Sequence, residues 1–486
     1  MSVVTQQRAR TGRLREIGLL VIALVICAIA WILVYHAETE HATSPVPPRF
    51  ALIMALVVIA VCIAHIFIRR WAPWADPTFF PIAVALTGLG LVMIHRIDFA
   101  LVARGGAPEL TGQARLAVLG LILMVATVGI LRDHRRLRRV TYLSLIGGTF
   151  LLLMPMIPGL GRTINGARIW IHFAGFSYQP AEMAKILFAI FFAGYLVVQR
   201  DNLALAGKKF FRIQLPRARH FAPLLVAWIA CMGILMMERD FGTAILFFAL
   251  FIALLYIATE RISWIIFGGL LTIVGVYAIV QIMPHIQARF EIWQHPLDPD
   301  IYNSAFGSYQ LVQGWFGMAS GGMVGTGFGQ GYPTNSFAAN SDFIIASFGE
   351  EIGLIGLLAI LAIFLLFVSR AFKVAIDLRD GFGKLLASGL GFVIAVQCFV
   401  VVGGVTGVIP LTGLAMPFLA LGGSALLTNW IIVGLLLRMS DAARRPYTPT
   451  APPVSSGDSG DLTLTDPATA PSPEEADRQP TVVVSR

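Results

Sequence analysis

A small set of ionisable side chains carries most of the chemistry this chain could do. Asp298 and Asp300 flank Pro299, so a proline-restrained turn holds two carboxylates locally. A carboxylate that is positioned and partly desolvated can act as a general base; two exposed turn aspartates are the plain alternative. Glu182 and Lys185 stand three apart at the start of an apolar run and therefore share a helix face. Charges inside such a run mark a functional interior by default, the alternative being a structural ion pair near the membrane surface. Arg168 and Trp170 follow the turn signal Asn165-Gly166, and both residue types also anchor helices at an interface. Glu238, Arg239 and Asp240 crowd a very short turn, where solvated charges are the plain alternative. Asp342 precedes an apolar run bearing Glu350 and Glu351, and two adjacent acids there cannot both face lipid.

The elements that must position these groups are membrane helices. The 486 residues are 57% hydrophobic and only 13% charged, with mean hydropathy +0.77, against about 25% charged in a soluble domain. A helix needs about 20 apolar residues to cross a bilayer. Twelve runs qualify, at about 17–35, 50–68, 79–95, 116–131, 140–157, 181–198, 221–237, 243–259, 263–283, 344–368, 385–405 and 417–437. The expected fold is thus all-α and polytopic, with a retained first anchor in place of a cleaved signal peptide. Cys27, Cys62, Cys231 and Cys398 all lie in apolar runs without metal-ligand spacing and read as small buried hydrophobes.

Orientation follows from the basic residues. With the N-terminus in the cytoplasm, 27 of the 36 Lys and Arg fall on the inner side, including Arg132, Arg135, Arg136, Arg138 and Arg139 in one short loop. Topology and anionic lipid thus account for the +9 net charge, and nucleic acid need not be invoked. Both termini are expected inside and the 284–342 connection outside. That connection of roughly 60 residues far exceeds the usual ~4–6. It contains seven glycines between Gly317 and Gly331, which suggest close backbone approach to a ligand or another segment. No strand–glycine loop–helix context supports a nucleotide fingerprint. Gly407–Ser424, with Pro410 and Pro417, suggests broken backbone, tolerated at membrane depth only inside protein or along a cavity. The Pro-, Ser-, Thr- and acid-rich tail after about Arg444 is expected to be disordered, either inert or a site for cytoplasmic partners. These residues leave two functions open, an enzyme acting on a lipid-linked polar substrate or a transporter for one. Ion-coupled transport is disfavoured, because no inverted pair of broken helices is visible.

Ordered motifs narrow the choice. Asn165-Gly-Ala-Arg168-x-Trp170, Gln179-Pro-Ala-Glu182-x-x-Lys185, Asp240-Phe-Gly-Thr, Asp298-Pro, Ser308-Tyr309-Gln310, the glycine-rich run, Asp342-Phe, Gly-Glu-Glu351-x-Gly and Pro410-x-Thr-Gly follow one another along residues 79–437. The chain resembles the SEDS family (shape, elongation, division and sporulation), which includes RodA-like and FtsW-like branches; the long loop favours the RodA-like branch. The resemblance implies a ten-helix core at 79–437, preceded by an arm and two extra helices in 1–78 and followed by the tail 438–486. It implies a peptidoglycan glycosyltransferase that polymerises lipid II at the outer face of the bacterial cytoplasmic membrane beside a class B penicillin-binding protein. A lipid II flippase and a non-catalytic scaffold are the alternatives. The family's essential loop aspartate maps to Asp298. Asp300 is its rival, because the spacer to Tyr309-Gln310 is longer than usual and the motif begins with Ser. On this basis Arg168, Glu182, Lys185, Tyr309, Gln310, Asp342 and Glu351 are the expected substrate-binding residues. A divalent cation, Mg2+ or Mn2+, with Asp298 as candidate ligand, would complete the set, with no nucleotide cofactor.

Overall fold

The computed structural model describes residues 3–41, 49–164, 167–173, 176–204, 209–210, 213–214, 218–304 and 307–446. The expected Asn165-Gly166 turn and the tail beyond residue 446 lie outside them. Helices dominate, as the apolar runs require. Two come first, α1 (Val3–His41) and α2 (Arg49–Trp71), followed by α3 (Phe79–Ala103), α4 (Leu110–Ile130) and α5 (Thr141–Leu153). Three short strands, β1 (Gly161–Ile164), β2 (Ala167–Phe173) and β3 (Phe176–Tyr178), precede α6 (Pro180–Ala204). A two-residue hairpin, β4 (Lys209–Phe210) and β5 (Ile213–Gln214), leads to α7 (Ala218–Glu238), α8 (Phe241–Thr259) and α9 (Ser263–Ile282). The long connection folds into α10 (Pro284–Gln294), α11 (Pro299–Tyr302) and α12 (Tyr309–Gly321) before α13 (Ile344–Asp377), α14 (Gly381–Val405) and α15 (Gly423–Arg444).

Among the described residues, eleven helices are long and apolar enough to cross a membrane. The twelfth expected span, 221–237, falls within α7, of which Leu225–Glu238 is apolar. The spans divide sharply by burial. α3 is 94% and α15 83% buried over their apolar windows, whereas α9 is 6% buried. α3, α6, α14 and α15 therefore form the inner bundle, and α9 turns its side chains outward. The last helix starts at Gly423 and continues through Arg444, later at both ends than the expected 417–437.

The N-terminal pair is fixed to the bundle by polar as well as apolar contacts. α1 packs on α3 and α2 on α4. Glu16 of α1 is fully buried and pairs with Arg69 and, at 2.8 Å, with His65, both on α2. Just past α2, the Trp74 N–H donates to Asp441 of α15 at 2.9 Å, and Asp76 pairs with Arg444. Burying charges is costly unless each has a partner, and here the partners come from α2 and α15.

Three departures from regular helix position the site. The stretch 161–178, expected as loop, is a three-stranded antiparallel sheet in the order β1-β2-β3. Between α14 and α15 the backbone is non-helical from 406 to 422, with positive φ at Gly407, Gly413 and Phe418, as the prolines and glycines there suggest. Finally, α13 is broken at Gly353 (φ 65°, ψ −173°). There the glycine-rich run meets helix backbone. Thr326 and Gly327 N–H groups donate to the Glu350 and Glu351 carbonyls, while Leu354 and Ile355 N–H groups donate to the Gly322 and Met323 carbonyls. A Cβ on Gly353 would collide with the Gly325 nitrogen, so the glycines serve another segment of the chain.

Candidate active site

The inner bundle holds a buried polar cluster around Lys185. Glu182 and Lys185 lie on the first turns of α6, which begins at Pro180 because proline suits the first helical position. The Lys185 ammonium is 2.5 Å from Glu182. It donates to Gln397 Oε1 of α14 at 3.0 Å and to Asn429 Oδ1 of α15 at 3.4 Å. Gln397 in turn donates to the Ala415 carbonyl at 2.9 Å, tying the cluster to the non-helical 406–422 stretch. Glu182, Lys185, Gln397 and Asn429 are all buried. The ammonium is thus matched by one carboxylate and two amide oxygens.

A second layer lies beside it. Asp240 caps α8, accepting from the Thr243 N–H at 2.9 Å and its hydroxyl at 2.6 Å. Gln179 donates to the same carboxylate at 3.4 Å. Burial pushes the Asp240 carboxyl up from its ordinary value; the Thr243 hydrogen bonds oppose that, Glu182 adds to it, and the Arg289 charge opposes it. Arg289, on α10, donates to the Leu411 and Thr412 carbonyls at 3.1 and 3.3 Å. Burial also raises the Asp342 carboxyl, and Arg289 again holds it down. Desolvation lowers Arg289 itself, while Asp240 and Asp342 raise it. One guanidinium therefore ties the long connection to the broken 406–422 stretch and lies in the field of two carboxylates. Its sequence signal was a lone arginine among Ile286, Phe290 and Trp293.

The remaining expected residues sit elsewhere. Glu351 accepts from Arg96 of α3 at 2.9 Å and from the Gly329 N–H at 3.1 Å, and Arg96 also donates to the Gly331 carbonyl at 2.7 Å. Glu351 thus pins the glycine-rich run to α3. Arg168, on β2, donates to the Ile157 carbonyl at 3.3 Å. Its sheet leans on α15, where the Gln179 N–H donates to Ser424 at 2.8 Å. Tyr309 opens α12, is exposed, and meets the Tyr302 ring at 5.4 Å between centroids. Gln310 donates to the Phe337 carbonyl at 3.0 Å.

Asp298 is the N-cap of α11. Its carboxylate accepts the Asp300 N–H at 2.9 Å, with Pro299 as first helical residue, the arrangement an Asp-Pro-Asp sequence favours. Both aspartates are exposed. Among the described residues no group of three His, Cys, Asp or Glu side chains is placed to hold a metal ion.

This arrangement has relatives. Residues 76–445 match the family FTSW_RODA_SPOVE, described as cell cycle protein. The match begins just after α2. The chain is 42% identical over 387 residues to the peptidoglycan glycosyltransferase RodA of Mycobacterium tuberculosis, covering 79% of this chain and 81% of that one. It is 43% identical over 386 residues to its counterpart in Mycobacterium leprae, with the same coverage. A probable peptidoglycan glycosyltransferase FtsW of Geobacter metallireducens is 35% identical over 370 residues, 75% of this chain and 94% of that one. Among solved structures, a chain from a peptidoglycan synthase complex that coordinates polymerization and crosslinking matches at TM-score 0.61 and 22% identity, over 76% of this chain and 99% of its own. The crystal structure of the Thermus thermophilus rod shape determining protein RodA matches at TM-score 0.53 and 21% identity, over 76% and 98%.

Proposed function

The chain belongs to the FtsW/RodA/SpoVE family, and from that membership we infer that it is a multi-pass membrane peptidoglycan glycosyltransferase of the RodA kind. The observation that carries this is the 42% identity across 387 residues to a protein of that activity. The finer reading is that it polymerises lipid II into β-1,4 glycan strands at the outer face of the cytoplasmic membrane, for cell elongation. The excess of Lys and Arg on the expected inner loops supports that orientation. The resemblance to a chain from a synthase complex supports a class B penicillin-binding protein as partner.

The chemistry is one inverting displacement. The acceptor's 4-hydroxyl gives its proton to the Asp298 carboxylate while the oxygen attacks the donor's anomeric carbon. The bond from that carbon to the diphosphate–polyprenyl group breaks, and its electron pair leaves with the phosphate oxygen. An α-linked donor thereby gives a β link. Asp298 stands exposed at the start of a short helix, reachable by an incoming hydroxyl, and the partial desolvation a base needs would come from the bound substrate. The leaving diphosphate needs cationic groups. Arg168 and Lys185 are the proposed ones, and Arg289 joins them because its guanidinium is held on the broken backbone within the field of Asp240 and Asp342. Glu182 holds Lys185, Asp342 adds its charge near Arg289, Glu351 pins the glycine-rich run through Arg96 and the Gly329 N–H, and Tyr309 and Gln310 line the approach to Asp298. Mg2+ or Mn2+ bound to the diphosphate would add charge neutralisation.

The test is strand synthesis from lipid II by purified protein, with and without divalent cation. Wild type and Asp300→Ala are expected to make strands, and Asp298→Ala none. Full activity in Asp298→Ala overturns the assignment of the base. Movement of lipid II between leaflets without strand synthesis by wild type would favour the flippase.

A further inference from the structure

A polar cavity lies outside the cluster described above. It has a volume of about 190 Å³ and is enclosed by α12, the turn at 332–336 and the first turns of α13. Glu350 lies in its wall and is 7% exposed. One carboxylate oxygen accepts the Tyr332 N–H at 2.6 Å. Arg96, the basic side chain bound beside it, is given to Glu351 and the Gly331 carbonyl. Among the described residues Glu350 forms no ion pair. Two glycines make room for its carboxylate. A Cβ on Gly317 would lie 3.0 Å from Oε2, and one on Gly331 3.1 Å from Oε1.

Several other polar groups in the wall have hydrogens committed elsewhere. Ser320 donates to the Gly317 carbonyl, Ser347 to the Ala339 carbonyl, and Ser336 to the Gln310 carbonyl. Gln313 gives an amide hydrogen to the Tyr302 hydroxyl. The Glu350 carboxylate is the charged group in the wall, and hydroxyl lone pairs and the Gln313 carbonyl add acceptors beside the amide groups of Gln313 and Asn335. The aromatic rings of Phe316 and Tyr332 also line it, and both are exposed. Acceptors around a carboxylate, flanked by open aromatic faces, suit an ammonium group.

We propose that this cavity binds the primary ammonium of the peptide branch carried by the glycosyl substrate. The proposal rests on the function inferred above, since cross-linking of peptidoglycan requires a peptide with a free amine. The Gln313–Tyr302 bond supports this source of the ammonium. Tyr302 ends the short helix that Asp298 caps, so the cavity and the proposed base are built into one continuous piece of chain. A substrate whose sugar reaches Asp298 can place its peptide here, and the cavity then acts through binding and not through the bond-forming step.

The experiment compares lipid II bearing a free side-chain amine with lipid II N-acetylated at that amine, using the purified full chain. For wild type, acetylation is expected to raise KM about tenfold with kcat unchanged, the size expected of one charge-assisted contact. Glu350→Gln is expected to show that higher KM with both substrates, so that discrimination disappears. Gly317→Ala, which crowds the carboxylate, is expected to weaken discrimination as well. Equal KM values for the two substrates in wild type overturn the proposal without recourse to any variant, and so does retained discrimination in Glu350→Gln. If wild type makes no strands from either substrate, the inferred glycosyltransferase reading itself fails, an outcome distinct from loss of discrimination.

Discussion

The Lys185 cluster and the Asp298 turn solve opposite problems. Around Lys185 three buried side chains from three helices face one ammonium, and removing that ammonium strands the Glu182 carboxylate. At Asp298 the carboxylate is exposed and its hydrogen bond is to the next turn of its own backbone. Desolvation is what separates them. Buried groups must be matched to be tolerated, so their contacts speak first of architecture. An exposed carboxylate is under no such constraint, so a function assigned to it can be tested almost free of folding effects.

The sharpest break of this comparison is at the cluster. Lys185→Met leaves Glu182 buried without its cation and is expected to cost about 3–5 kcal/mol of stability, read as a large drop in thermal midpoint in detergent. Lys185→Met with Glu182→Gln is expected to recover a substantial part of that loss, because the stranded charge is gone. A double variant no more stable than the single one would mean that the cluster is held by packing.

At the turn, Asp298→Asn keeps a good helix cap, since Asn and Asp are nearly equal there. Strand synthesis is expected to fall roughly 100-fold or more, with the thermal midpoint unchanged. A fall in both together would return Asp298 to the architectural class. The smallest effect belongs to Asp342, which stands between the two extremes. Its carboxyl is raised above the ordinary value by burial. Its contribution to stability is therefore full below the ordinary carboxylate range and is lost as pH rises through the raised value. Asp342→Asn is expected to flatten that part of the pH profile of the thermal midpoint, where the wild type loses about 1.4 kcal/mol for each pH step of one between the ordinary and the raised value.

Most of the helical scaffold was legible because a bilayer demands long apolar runs, and sequence alone marks these. The broken backbone around Pro410 and Pro417 was legible for a similar reason, since proline and glycine act locally. Asp298 as a cap was readable from Asp-Pro-Asp. The partners of Lys185 were not. Gln397 and Asn429 lie 212 and 244 residues away, and nothing local says which helices become neighbours. Arg96 falls just past the apolar run 79–95, yet it reaches Glu351 255 residues on. The sheet at 161–178 was hidden although isoleucine and aromatic residues fill Ile169–Phe173, because its strands are short and the setting is a membrane protein.

The interruption of α13 at Gly353 has a mechanical consequence. Four backbone bonds stitch residues 322–327 to the two sides of that break, so the C-terminal part of the long connection is effectively a splice within a membrane helix. A splice moves only with the rod it joins. Any swing of the connection must therefore be taken up before residue 322, on the side where Asp298 stands, like an oar pivoting in a fixed lock.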